Sequence, residues 1–286
     1  MKVGLALGGG GVRGLAHISL LRVLEEEGIV PTAIAGTSMG SLIGTWVARG
    51  RKSDDIREWV ERHVFIPEHG LSELWKKGKD LSHWLGFFRP TLGKGAFISA
   101  DGFLDFLLKE LEIKHFDDLP IPFHAVAADF HTFRKVVFTD GPLKPALKAS
   151  MAIPGVFEAV KHQGRLLVDG GIADNVPWSV LDSSCDAVIA IDVADARHDD
   201  DHEPDAIETF VSTFQRMIAR NTIQRRAIDP PTLYFRPSLR GIQGLDLGRI
   251  PEVLAQAETE TERFRAALRD AFPRNSQPFP PQSPER

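Results

Sequence analysis

The chain has 286 residues, 43% hydrophobic and 26% charged, enough to bury a full core as one large domain. Its net charge of −5 is spread over both signs without a basic cluster, which argues against nucleic acid as a partner. The lone Cys185 excludes an internal disulfide, MKVGLALGGG lacks the apolar run of a signal peptide, and no stretch reaches the roughly 18 apolar residues of a spanning helix. A soluble, cytoplasmic protein is expected.

Taken in chain order, KVGLAL is a short apolar run halted by four glycines, and Leu15, Ile18, Leu21 and Leu24 then share one helical face up to Gly28. IVPTAIAG is a second buried run, and SLIGTWVARG reads as a helix. The first 50 residues therefore spell strand, glycine loop, helix, strand, tight turn, helix, the order of a mostly parallel sheet with covering helices. Ser53, Asp54 and Asp55 start a helix that runs to about His63.

Residues 64–100 lose this rhythm, with Trp75, Trp84, Phe87 and Phe88 set among Lys76, Lys77, Lys79 and Arg89. DGFLDFLLKEL is a helix, and PFHAVAADF and KVVFTDG form a hairpin through HTFR. ALKASMAIPGVFEAV reads as a helix broken by Pro154, and RLLVDGG as a strand ending at two glycines. DAVIAIDV, apolar on both faces, suits a central parallel strand. An acidic loop, a helix to about Ala227, a strand TLYFR and one final helix over 251–272 follow. The tail from 273 to 286 is expected to be disordered.

Gly36, Ser38 and Gly40 make GxSxG between a strand and a helix, the setting in which a nucleophilic serine stands on a strained turn. Small residues on either side let backbone approach, and the helix N-terminus favours a developing negative charge. The loop GGGGVRG ends the first strand, so in a parallel sheet it opens beside Ser38. Gly9, Gly10 and Gly11 can aim several N–H groups at one point, with Arg13 as a brace. Gly9, Gly11 and Gly14 also satisfy the dinucleotide fingerprint GxGxxG. That reading needs an acid at the end of the second strand to hold a ribose, and AIAGTSMG offers none.

A histidine triad would require His198 or His202, both embedded in a run of aspartates. Only one strand precedes the serine turn, unlike the usual α/β-hydrolase layout. Asp169, at the end of RLLVDGG, is the remaining base, either a carboxylate in reach of Ser38 or a simple turn aspartate.

GGGGVRG, GTSMG, ASMAIPGVF, and DGG followed by NVP, in this order over residues 1 to about 195, together resemble the bacterial patatin-like phospholipases, which include the neuropathy-target-esterase-type domains. The resemblance implies a three-layer α/β/α fold and a Ser/Asp dyad without a catalytic histidine. It carries over Ser38 as nucleophile, Asp169 as base, and Gly9, Gly10, Gly11 and Arg13 as the oxyanion loop. It also implies hydrolysis of lipid acyl esters, phospholipids or lysophospholipids among them, with no metal or other cofactor. Ser150 and Pro154 then take structural roles, and Asp174 and Asn175 brace the loop of Asp169. One domain over 1–272 is expected. Residues 196–286 match no motif, and HDDDHE reads as a solvated loop in preference to a cation site. The aromatics of 64–100 are either a peripheral membrane contact or a cap over the sheet.

Overall fold

The computed structural model describes residues 1–64, 89–90, 98–181, 183–194 and 206–273. The aromatic stretch around Trp75 to Phe88, the histidines His198 and His202, and the C-terminal tail lie outside these residues. In chain order the elements are β1 Val3–Leu7, a 3₁₀ turn Gly11–Leu15, α1 Ala16–Glu26, β2 Ala33–Thr37, α2 Met39–Ala48 and α3 Ser53–His63. Next come β3 Arg89–Pro90, β4 Ile98–Ser99, α4 Asp101–Glu110, β5 Phe123–Asp129, β6 Lys135–Phe138 and α5 Leu143–Ser150. Then follow β7 Val160–His162, β8 Arg165–Asp169, α6 Gly171–Asp174, a 3₁₀ turn Trp178–Val180 and β9 Ala187–Ile191. The chain closes with α7 Ala206–Ile228, β10 Leu233–Phe235, α8 Ile250–Thr259 and α9 Thr261–Ala271.

The main sheet runs β10-β9-β1-β2-β5-β8-β7, with β6 also paired to β5. Five neighbouring strands, from β10 to β5, are parallel, so the fold is α/β with a mostly parallel central sheet. β1 is flanked by β2 on one side and β9 on the other, so the chain winds outward both ways from it. The crevice past its C-terminal end is where such sheets place their ligands.

Alternation along the strands sorts the two faces. Leu5, Leu7, Ile34, Ile189, Ile191, Leu233 and Phe235 point into the larger core, under α1, α2, α3, α8 and α9. The intervening Ala6, Ala33, Ala35, Val188 and Ala190 face a thinner layer made by Val176, Trp178 and Leu181. Small residues on that face let the 176–181 segment lie close to the sheet, and Trp178 is held there by donating its Nε1–H to Asp229 O, 2.9 Å away.

Two elements differ from the sequence reading. The helix expected to break at Pro154 ends earlier, at Ser150, and residues 151–159 turn and then feed β7. The single final helix is two, α8 and α9, joined at Glu260. Neither Gly nor Pro marks that joint. It follows from packing, since α8 lies along α1 while α9 turns to cover both α1 and β10.

Candidate active site

Ser38 sits between β2 and α2 with φ 53° and ψ −125°, a backbone conformation costly for a residue with a Cβ. Two contacts hold it there. Its N–H donates to Ser150 Oγ at 2.9 Å, and that hydroxyl donates in turn to Val126 O at 2.7 Å. On the other side Ser41 donates from both its N–H and its hydroxyl to Ser38 O. Ser150, from the third sequence block, is therefore the residue that fastens the turn to β5. Gly40 must lack a side chain because a Cβ there would overlap Leu7 O at the end of β1.

Asp169 reaches the same place from the opposite direction. β8 is antiparallel to β5, pairing Asp169 with Ala127, while β2 pairs Thr37 with Val126. The last residue of β8 thus stops level with the last residue of β2. The carboxyl is 3% exposed, and Gly171 N–H donates to its Oδ1 at 2.8 Å. Burial pushes its pKa up to about 6, tempered by the Gly171 hydrogen bond and by the nearby Ser38 hydroxyl. Its Oδ2 has no hydrogen-bond partner among the described residues. Ser38 and Asp169 line the same cavity.

The glycine loop closes that space from β1. Gly8 N–H donates to Ile191 O at 2.9 Å and Gly9 N–H to Asn175 O at 3.2 Å, while Asn175 Nδ2 returns a bond to Gly9 O. Gly9 lies so close to the serine that a Cβ there would come within 2.9 Å of Ser38 Cβ. Among the described residues the N–H groups of Gly10 and Gly11 have no acceptor. Gly11 has φ +58°, and its neighbour Val12 donates to Gly244 O at 2.8 Å, tying the loop to the C-terminal third of the chain.

Arg13 does not line the cavity. Its buried guanidinium donates to Val193 O at 2.8 Å, Leu239 O at 3.2 Å and Ile242 O at 2.8 Å, which makes it a brace between loops. Asp174 is likewise bound, accepting from Lys135 Nζ at 2.9 Å and from Arg225, with its carbonyl taking the Thr37 hydroxyl. Asp174 and Asn175 therefore fix the segment after Asp169, as their position suggested.

Three features of the site have no sequence signal. His17 is fully buried beneath the loop, with Nε2–H donating to Gly8 O at 2.9 Å, and burial lowers its pKa to about 4. Asp192, at the end of β9, accepts from Tyr234 and Arg236, a buried cluster next to the glycine loop. Finally Phe214, Gln215 and Ile218 of α7 cover the cavity that Gly9, Gly10, Gly11, Ser38 and Asp169 line. That cavity is about 30 Å³, room for about two waters. His17 reads as one more polar residue in an apolar helix, and nothing in α7 marks it as belonging to a site 180 residues earlier in the chain.

A strained serine turn, a buried carboxyl and a glycine loop at one edge of a mostly parallel sheet define a class, and a family model described as patatin-like phospholipase matches residues 5–182. The chain belongs to that family. It is 33% identical over 218 residues to an uncharacterised NTE family protein of Mycobacterium tuberculosis, covering 75% of this chain and 56% of that one. It is 32% identical over 221 residues to the lysophospholipase NTE1 of Mycosarcoma maydis, covering 77% of this chain and 11% of that protein. The chain thus spans about half or less of the length of these curated relatives. Among solved structures VipD from Legionella pneumophila shares the fold, with a TM-score of 0.51 at 12% identity, over 93% of this chain and 66% of that one.

Proposed function

We propose that this chain is a serine acyl hydrolase that cleaves carboxylic ester bonds of lipids, of phospholipase A or lysophospholipase type. The observation that carries the reading is the meeting of a strained Ser38 with the desolvated, half-satisfied carboxyl of Asp169. Ser38 Oγ attacks the ester carbonyl carbon while its proton passes to Asp169 Oδ2. The N–H groups of Gly10 and Gly11 receive the oxyanion, each donor of this kind contributing about 2.7–4 kcal/mol elsewhere. The ester C–O bond then breaks and the leaving alcohol takes the proton from Asp169. A water then attacks the acyl-enzyme, giving one proton to Asp169 and its oxygen to the fatty acid; the Ser38 Oγ–acyl bond breaks and Asp169 returns the proton to Ser38 Oγ.

A base with a pKa near 6 is ionised at neutral pH and still a better proton acceptor than an ordinary aspartate, which suits this role. Neither a histidine nor a metal enters the scheme. We further propose that residues 1–272 act as one cytoplasmic unit, since β9, α7 and β10 pack onto the parts that carry Ser38 and Asp169. Two rivals stand beside it: a nucleotide-binding role for the glycine loop, which lacks a ribose acid at the end of β2, and a non-catalytic regulatory protein on the same scaffold, which would leave Ser38 unlabelled.

The test is labelling with a fluorophosphonate probe together with hydrolysis of a panel of lipid and short-chain esters. The wild-type protein is expected to be labelled and active, Ser38→Ala to be unlabelled and inactive, and Asp169→Asn to be folded with activity reduced at least a hundredfold. Equal activity in Asp169→Asn would end the dyad assignment. A thermal shift with NAD or ATP, without labelling, would favour the nucleotide reading.

A further inference from the structure

α7 covers the cavity with one face and shows solvent another of unusual composition. Phe214, Gln215 and Ile218 look inward over Ser38 and Asp169. On the opposite side Arg216 and Arg220 are exposed, flanked by Met217 at 62% and Ile223 at 47% exposure. Ile228, where the helix ends, is 85% exposed. The helix has four arginines and one acid, Glu208; Arg225 is paired with Asp174 and Arg226 lies over the Tyr234 ring, which leaves Arg216 and Arg220 as the exposed pair on the outward face.

Both halves of α7 are tied to the body. Near its C-terminal end Arg225 reaches Asp174 and Ser179 and stacks 4.7 Å over the Trp178 ring, so that end is fastened to the body. Toward its N-terminal end the Ser212 hydroxyl donates to Gln243 Oε1 at 3.1 Å, beside the half-buried Phe214 and Gln215.

We propose that the outward face of α7 is the surface by which this protein meets an anionic lipid bilayer. Arginines paired with exposed Met and Ile suit a headgroup boundary, where the cations meet lipid phosphate or carboxylate and the apolar side chains sink below them. The proposal rests on the acyl-hydrolase reading only for what the membrane supplies. The binding surface itself needs no turnover.

The experiment separates the two. In a Ser38→Ala background, co-sedimentation is measured with phosphatidylcholine vesicles with and without added phosphatidylserine. Binding is expected only with the anionic lipid, and Arg216→Gln together with Arg220→Gln is expected to weaken it about thirtyfold, from about 1 kcal/mol per surface cation. With Ser38 intact, the double variant is expected to hydrolyse a soluble short-chain ester as the wild type does and to lose hydrolysis of anionic vesicles. A second readout places an environment-sensitive dye on Met217→Cys in a Cys185→Ser background, with a blue shift expected on anionic vesicles. Equal binding to neutral vesicles, full binding by the double variant, or an unshifted dye on bound protein would each overturn the proposal. Absent hydrolysis of every ester by the wild type would overturn the enzymatic reading and leave the vesicle result standing.

Discussion

Asp169 links stability and reactivity at the scale of a single residue. Its pKa is raised from 3.8 to about 6 because the ionised form is buried. A carboxyl shifted this way adds stability fully below its unfolded value, and that stability is lost as pH rises through about 6. The cost at neutral pH is about 3 kcal/mol. Asp169→Asn, which keeps the Gly171 contact, is therefore expected to resist urea better than wild type at pH 7.5, with the advantage vanishing toward pH 4. His17, lowered from 6.5 to about 4, works the other way and destabilises the fold as pH falls below 6.5. It is present in both proteins, so it drops out of that comparison. For wild-type kcat/KM the same shift predicts a one-proton limb with a midpoint near pH 6, rising with pH. A midpoint near 4 would mean that the base is a solvated carboxylate.

At the scale of elements, the glycine loop is kept in place by Arg13 more than by its own sequence. Three carbonyls from two separate segments, after β9 and before α8, converge on one guanidinium. Arg13→Met keeps the packing volume and removes all the donors, leaving buried acceptors unpaired. A loss of about 3–5 kcal/mol is expected in urea denaturation. If the stability is unchanged, the loops are held by other contacts. Ser150 does for the serine turn what Arg13 does for the loop, and both act at a distance in sequence. The antiparallel entrance of β8 belongs here too. Residues around DGG reveal a strand end, but direction is set by pairing with β5, which no local pattern encodes.

Across the whole molecule, the legible parts were those written in local chemistry. Ser38, Asp169 and the glycines stand out because turn geometry restricts residue choice there, and the β5–β6 hairpin and α3 follow their turn and cap signals closely. The unbroken apolar runs of β1, β2 and β9 read as buried strands, and each is buried along its whole length. What stayed hidden is what tertiary packing decides: the α8–α9 joint, the roof over the cavity, and the buried Asp192 cluster. The matched family region stops at residue 182, before β9, yet β9 is one of the two strands that flank β1.

This division of labour has a cost during synthesis. Every group assigned to the chemistry has left the ribosome by residue 175, while β10, the loop gripped by Arg13 and the roof come afterward. A chain halted after residue 195 would present the unpaired rim of β9, a stretch of apolar residues that wants a neighbour. Such a fragment is expected to self-associate more than the 286-residue chain, a difference that light scattering of the two side by side would show. Residues past 195 thus shield a strand rim that the chemistry itself does not use.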